Sequence, residues 1–126
     1  MDNSSCYCGG PKNYKNCCGR YLEGSEKALD AVVLMRSRYT AYVLCKSAYL
    51  IETTHPKKRY LHNRRDIENW SLENKWLNLE ILETSETNVV FKAYYLDGNM
   101  QSQVHYESSK FEFLQGSWYY VEGKFL

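Results

Sequence analysis

The sequence predicts an α+β fold in which helices pack on one face of an antiparallel sheet, with a small zinc knuckle in front of them. Three observations predict it. Four of the five cysteines fall within thirteen residues, apolar residues recur at helical spacing over residues 27–45, and strand-like alternation begins after Lys75. We therefore expect a zinc-binding segment at residues 1–22 and an α+β domain at residues 27–126.

The cysteines predict the metal site. Their spacing is C-x-C, eight residues, then C-C, at Cys6, Cys8, Cys17 and Cys18. Each close pair supplies two corners of a tetrahedron, and the turn at Gly9-Gly10-Pro11 brings the pairs together. Four protein ligands leave no position for water, so we expect one structural zinc ion, with Lys12, Lys15 and Arg20 offsetting the charge of the thiolates. A redox or disulfide cluster is the alternative.

Helices are predicted in the first half of the domain. Residues 27–45 form the first, and Asp30 could cap its start. Ser47 to Thr54 predicts a short second helix, which stops before Pro56 because the residue preceding proline avoids helical angles. Residues 66–74 predict a third helix.

Strands are predicted in the second half. Residues alternate in 77–81 and 89–95, and Asp97-Gly98-Asn99 is a strong turn signal. Residues 101–114 and Trp118–Glu122 predict two further strands, which gives an antiparallel meander.

The long strand places a carboxylate toward the core. One parity holds His105, Glu107, Ser109, Phe111 and Phe113. The two phenylalanines predict that this face meets the core, so Glu107 needs a partner. Arg36 and Arg38 on the first helix are the candidates. A bulge near Ser108 would reverse this parity.

Charge and hydropathy exclude several classes of function. The formal net charge of +1 creates no global attraction to nucleic acid or acidic lipids. No run is long enough to cross a bilayer, and the N-terminus lacks the pattern of a signal peptide. We expect a cytoplasmic protein without a membrane partner, in a reducing compartment where clustered cysteines bind metal.

The cysteine segment resembles the SEC-C motif, known from the tail of the bacterial preprotein translocase ATPase. The matching residues are Cys6, Cys8, Gly9, Lys12, Tyr14, Lys15, Cys17, Cys18 and Gly19. The translocase version has histidine as its fourth ligand, where this chain has Cys18. The resemblance implies a zinc knuckle that docks a protein partner, or in some contexts nucleic acid or the ribosome.

The rest of the chain resembles the YchJ-like group of uncharacterised bacterial proteins. The resemblance rests on residues 34–42, Tyr49-Leu50, Thr54-His55-Pro56, and residues 76–81, 107–111 and 116–123. It implies a domain of the nuclear-transport-factor-2-like (NTF2-like) type behind the SEC-C motif. That fold is a cone in which a bent sheet wraps around helices, often with a pocket at the wide end.

We predict a polar, aromatic pocket in this cone. Its candidate residues are Arg36, Arg38, Tyr39, Tyr42, His55, Trp76, His105, Glu107 and Trp118. It would suit a small ligand with an anionic or hydrogen-bonding group held by an arginine. The alternative is a filled structural network. An enzyme would use Glu107 with His55 or His105 as acid and base, but no nucleophile motif or phosphate loop accompanies them, so we do not predict one.

A basic stretch offers another surface. Lys57, Lys58, Arg59, Arg64 and Arg65 lie close together and could meet RNA phosphates, or could belong to a solvated loop. His62 is expected to be exposed, and Cys45 to be a buried core thiol.

The sequence thus predicts a zinc-binding adaptor that docks a protein or nucleic-acid partner through its knuckle. The alternatives are a small-molecule-binding protein or enzyme that uses the cone pocket, and an RNA- or ribosome-associated factor.

Overall fold

The computed structural model describes residues 5–126, with helices first and strands last. The helices are α1 (Gly19–Leu22), α2 (Ala31–Val43), α3 (Ser47–Glu52) and α4 (Arg64–Glu73), with 3-10 turns at Tyr14–Asn16 and Pro56–Leu61. The strands β1 (Lys75–Thr84), β2 (Asn88–Leu96), β3 (Ser102–Leu114) and β4 (Ser117–Phe125) form one antiparallel sheet in the order β1-β2-β3-β4. The predicted α+β meander is confirmed, and residues 1–4 of the expected zinc segment lie outside the described residues.

Side-chain caps fix where the longer helices begin. Asp30 accepts a hydrogen bond from the Val33 amide at 2.8 Å, so α2 begins at Ala31 and is shorter than predicted. Asn63 accepts one from the Asp66 amide at 3.1 Å, so α4 begins at Arg64, two residues before the predicted start. Cys45 lies beyond α2 in a left-handed conformation (φ 57°) and is only half-buried, so the expectation of a core thiol is wrong.

The core lies between α2 and one face of the sheet. Its buried members are Ala31, Leu34, Met35, Tyr39, Leu79, Val89, Phe91, Ala93 and Phe111. The helix contributes residues at helical spacing and the strands contribute every second residue, as the two periodicities require. Within residues 5–126, none of the helices combines the length and apolarity needed to cross a bilayer.

The parity of β3 holds through most of the strand. Pairing with β2 runs without a shift from Asn88 opposite Lys110 to Leu96 opposite Ser102. His105, Glu107, Ser109 and Phe111 all face the helices, as predicted, and the last three are buried. Phe113 is 58% exposed, so its predicted place in the core is wrong. Its ring instead packs edge-on against Trp118 across the β3–β4 hairpin, with ring centroids 5.5 Å apart.

The segment after α3 is joined to β4. The His55 amide donates to the Tyr120 carbonyl and the Tyr120 amide donates to the Thr53 carbonyl, both at 2.8 Å. A register shift in the β3–β4 pairing occurs between Lys110 and Phe111, next to this junction. Because bulges bend a sheet, the shift and the junction together bring Tyr120 over the inner face beside α2.

Candidate metal centre and ligand cavity

Four cysteine sulfurs meet in the N-terminal knuckle, residues 5–22. All the Sγ atoms of Cys6, Cys8, Cys17 and Cys18 lie within 4.8 Å of one another, and those of Cys8 and Cys17 are 3.6 Å apart. A tetrahedral zinc ion with Zn–S bonds near ~2.3 Å separates its sulfurs by about 3.8 Å. The four cysteines can therefore hold one metal ion of this size and leave it no open position.

Tight turns bring the two cysteine pairs together. Gly9 has φ 87°, which L-residues rarely adopt, and its amide donates to the Cys6 carbonyl at 3.0 Å. A Cβ at Gly10 would lie 3.4 Å from the Cys8 sulfur and 3.5 Å from the Cys17 sulfur. The glycines thus allow the backbone to turn closely around the four sulfurs.

Three of the thiols differ in how readily they lose their proton. A hydrogen bond from Cys18 and other nearby donors lower the pKa of Cys8 to about 5 despite its burial. Burial and a hydrogen bond to Cys8 raise the pKa of Cys17 to about 11, and a separate hydrogen bond to Cys8, together with burial, raises the pKa of Cys18. A metal ion would be needed to keep all four sulfurs as thiolates together.

The knuckle is attached to the domain through α2. Cys6, Cys8 and Cys18 are at most 3% exposed, and the Cys6 sulfur lies 3.9 Å from the Thr40 hydroxyl. Arg36 donates from Nη1 to the Cys8 carbonyl at 2.8 Å. Arg20 donates from Nε to the Cys17 carbonyl at 3.2 Å, whereas Lys12 and Lys15 are exposed. The metal site is therefore enclosed against the first long helix.

A cavity of about 360 Å³ opens on the other side of α2. It lies between α2, α4 and the inner face of the sheet. Six of the predicted pocket residues line it: Arg38, Tyr39, Tyr42, Trp76, His105 and Glu107. The remaining wall is mostly aromatic, and includes Trp70, Phe91, Tyr120 and Phe125.

Arg36, His55 and Trp118 lie away from this cavity, contrary to the sequence prediction. Arg36 comes two residues before Arg38, and residues two apart on a helix do not share a face. The Nδ1 atom of His55 accepts a hydrogen bond from the Lys57 amide at 3.1 Å, and its Nε2 lies 2.6 Å from Glu112. Trp118 packs on Phe113 near the hairpin end.

Glu107 is surrounded by hydrogen-bond donors at the edge of the cavity. Its Oε1 lies 2.7 Å from His105 Nε2, and its Oε2 accepts from the hydroxyls of Ser109 and, at 3.2 Å, Tyr120. Burial opposes the charge, but these bonds outweigh it and lower the pKa of Glu107 below its ordinary value. Neither arginine of α2 forms an ion pair with it among the described residues, so that prediction is wrong.

Space for the Glu107 side chain comes from the neighbouring strand. Gly123 on β4 lies beside Glu107, and a Cβ there would overlap the carboxylate. A glycine is therefore required at this position while Glu107 keeps its conformation.

Arg38 is the other buried charge. It is 4% exposed and donates from Nη1 to the Leu50 carbonyl at 2.9 Å and to the Thr53 hydroxyl at 2.7 Å. Its guanidinium carbon lies 4.5 Å from the centre of the Tyr120 ring. Burial lowers the pKa of Arg38, although it stays far above neutrality as arginines do.

Sequence reasoning missed several lining residues. Trp70 from α4 packs 4.8 Å from Trp76, centre to centre, and forms one wall. His62 was expected to be exposed, but it is half-buried, faces Tyr120, and has a pKa lowered by burial and by Arg38. The sequence signal that could have found this wall is Trp70 itself, the largest apolar residue of α4.

The basic stretch is mostly engaged within the chain. Arg59 donates to the carbonyls of Ile51, Glu52 and Thr54 at the end of α3. Lys58 pairs with Glu122 at 3.5 Å and Arg64 pairs with Glu68 at 3.1 Å. Lys57 and Arg65 are exposed. An RNA-binding role for these residues stays a prediction.

A family model described as the YchJ middle NTF2-like domain matches residues 30–123. The chain belongs to this family. Among its YchJ relatives is a UPF0225 protein of Streptomyces avermitilis, 40% identical over 129 residues, which span 97% of this chain and 85% of that protein. A UPF0225 protein of Streptomyces coelicolor is 37% identical, and the match spans 100% of this chain and 99% of that protein.

Solved structures agree with the assignment to the YchJ family. The solution structure of a SEC-C motif containing protein from Rhodopseudomonas palustris has a TM-score of 0.90 and 35% identity, covering 98% of this chain and 99% of that one. A crystal structure of a SEC-C motif containing protein from Psychrobacter arcticus has a TM-score of 0.74 and 30% identity, covering 96% and 75%. The predicted pairing of a SEC-C motif with an NTF2-like domain is confirmed.

Proposed function

We propose that this protein is a zinc-stabilised binding protein whose cavity takes a small molecule. The observation that carries the proposal is the cavity of about 360 Å³, with aromatic walls and two buried charged residues, Arg38 and Glu107. Ligand sites commonly combine such apolar walls with a few fixed polar groups. A fully packed core would leave no cavity of this size, because protein interiors are packed about as densely as organic crystals.

Zinc has a structural role in this proposal. Four sulfur ligands close the coordination shell, and three of the four cysteines are buried against α2. The ion would hold the knuckle on the helix that carries Arg38 on its other side. Elemental analysis of protein purified under reducing conditions should give one zinc per chain.

Binding in the cavity is tested by a fragment screen followed through the indole N–H signals of the three tryptophans. Trp70 and Trp76 line the cavity and Trp118 does not, so true ligands should shift the first two signals and leave the third. Ala93→Val fills part of the cavity without altering a charge, and should weaken every hit. Hits that shift all three signals equally, or that bind Ala93→Val unchanged, would contradict the proposal.

A second candidate function is docking of a protein partner by the outer surface of the knuckle. Tyr7 is 47% exposed and packs edge-on against Tyr14, with ring centres 6.0 Å apart, and Lys12 and Lys15 are exposed nearby. Tyrosine is enriched among interface hot spots, and exposed positive charges attract a negatively charged partner surface. It favours an acidic protein surface as the partner.

Docking is tested with a triple variant, Tyr7→Ala with Lys12→Glu and Lys15→Glu, in a pull-down with zinc present. The expected result is loss of the partner, while a charge reversal on the sheet, Lys110→Glu, retains it. Cys17→Ser should also lose the partner by disrupting the knuckle. Undiminished capture by the triple variant would end this candidate.

A further inference from the structure

The two buried charges of the cavity differ in how much of their hydrogen-bonding capacity the protein already uses. Glu107 has both carboxylate oxygens occupied, by His105 on one side and by Ser109 and Tyr120 on the other. It has little capacity left for a ligand. Its surroundings resemble a fixed structural network, in which every polar member is satisfied.

Arg38 is used only in part. All its hydrogen bonds to the described residues 5–126 leave from Nη1, toward the end of α3. Within the same residues, every fully buried side-chain nitrogen or oxygen has a hydrogen-bond partner. The Nε and Nη2 atoms therefore retain accessible surface, and the space that Arg38 borders is the cavity.

This geometry leaves a buried guanidinium without a carboxylate in contact with it among the described residues. The Tyr120 ring, whose centre lies 4.5 Å from the guanidinium carbon, compensates part of the charge through a cation–π contact. Arginine offers pairs of donors that match the two oxygens of a carboxylate. The free edge of Arg38 is thus arranged for a planar anion.

The aromatic lining of the cavity specifies the rest of the ligand. Trp70, Trp76 and Phe91 present ring surfaces, with Trp70 and Trp76 4.8 Å apart between ring centres. A flat, unsaturated body packs well on such surfaces. A cavity of about 360 Å³ is at the small end of the usual range for ligand pockets and has room for one or two fused rings.

We propose that the cavity binds a small planar carboxylate, whose carboxylate group pairs with Arg38 and whose ring body lies between the tryptophans and Phe91. This assignment rests on the proposed function, since it names the ligand class of the same cavity. It also explains why Arg38 is buried yet incompletely bonded.

The test compares three probes of one shape: 2-naphthoate, the neutral 2-naphthamide, and the cationic 2-naphthylmethylamine. Each is titrated into the full zinc-loaded chain while the three indole N–H signals are followed. We expect 2-naphthoate to shift Trp70 and Trp76 but not Trp118, and to bind about tenfold more tightly than the amide, the difference expected of a charge-assisted pair. The cation should bind more weakly than the amide.

Two variants and a control test whether Arg38 causes the preference for the carboxylate. Arg38→Gln should abolish the preference for naphthoate over naphthamide, and Arg65→Gln, an exposed charge on α4, should leave it unchanged. Should Arg38→Gln fail to fold, Ala93→Val serves instead, because it should weaken naphthoate through lost space alone.

The outcomes separate the two proposals. Equal or tighter binding of the amide or the cation in the cavity would overturn the carboxylate assignment and keep the small-molecule function. Saturation by none of the probes at millimolar concentration would overturn both. A naphthoate preference that survives Arg38→Gln would place the anion elsewhere and also refute the assignment.

Discussion

Glu107 shows how a buried carboxylate can remain charged. His105, Ser109 and Tyr120 lower its pKa below the ordinary 4.5, although burial acts in the opposite direction. Because the folded-state pKa is depressed, the charged form stabilises the fold above pH 4.5, and this contribution is lost as the pH falls through the folded-state value.

Glu107→Gln is expected to lower the free energy of unfolding at pH 7 by about 2 kcal/mol, since charge-assisted bonds are lost. The difference from the parent protein should shrink as the pH is lowered below 4.5. Urea unfolding followed by circular dichroism from pH 7 to pH 3 measures it. Glu86→Gln, at an exposed position, is the control. A difference that stays constant with pH would contradict the assignment of a charged Glu107.

Gly123 depends on the same carboxylate. Gly123→Ala is expected to destabilise the protein by about 2 kcal/mol or more, because the new Cβ displaces Glu107 from its donors. Gly98→Ala is the matched control, since a Cβ there meets only the Glu73 carbonyl at 3.9 Å. Thermal unfolding of the two variants compares them. Equal losses of stability in the two variants would mean that Glu107 can move without lowering the free energy of unfolding.

At the scale of elements, α2 connects the two sites. Its Arg36 face holds the knuckle through the Cys8 carbonyl, and its Arg38 face borders the cavity. The same helix thus carries one arginine at each of the two sites.

Arg36→Ala is expected to loosen the knuckle without altering the cavity. Zinc release to a chelating dye should become several-fold faster, since the turn that carries Cys8 loses a hydrogen bond at 2.8 Å. The indole signals of Trp70 and Trp76 should not move. Arg65→Ala supplies the control rate. An unchanged release rate would show that the sulfurs alone hold the turn.

Local rules account for what the sequence could predict of these elements. The cap at Asp30, the alternation in β2 and the Asp97-Gly98 turn each act within a few residues, so the pattern alone reveals them. The misplaced residues depend on tertiary detail. Arg36 bonds to the knuckle and the His55 ring bonds to Glu112 on β3, because the knuckle and β3 lie at places that no local sequence pattern reveals.

At the scale of the molecule, the metal site and the cavity lie against the same helix, α2, but belong to two separate buried clusters. Cys6, Cys8 and Cys18 are as buried as the residues packed between α2 and the sheet. Six of the predicted pocket residues line the cavity, but the wall formed by Trp70 depends on the position of α4 over the sheet, which the sequence pattern does not show.

Removal of zinc is expected to destabilise the whole chain. Binding free energy at a structural zinc site is folding free energy, so we expect the unfolding temperature to fall by 10 °C or more, roughly a loss of 3 kcal/mol. Tryptophan fluorescence and far-ultraviolet circular dichroism should change together in one unfolding transition. Cys45→Ser, outside the cluster, should melt as the parent does in both states. A core that melts unchanged after chelation would make the knuckle an independent unit.

Cys17 differs from the other three cysteines of the cluster because it alone of the four is only half-buried. Electrophiles and peroxides would therefore reach the cluster from one side. In the zinc-loaded protein, where all four sulfurs are thiolates, alkylation by iodoacetamide should begin at this partly exposed sulfur, and the remaining three should react only after the first adduct has opened the knuckle. Damage to the cluster would follow a fixed order, with a single entry point on the protein surface.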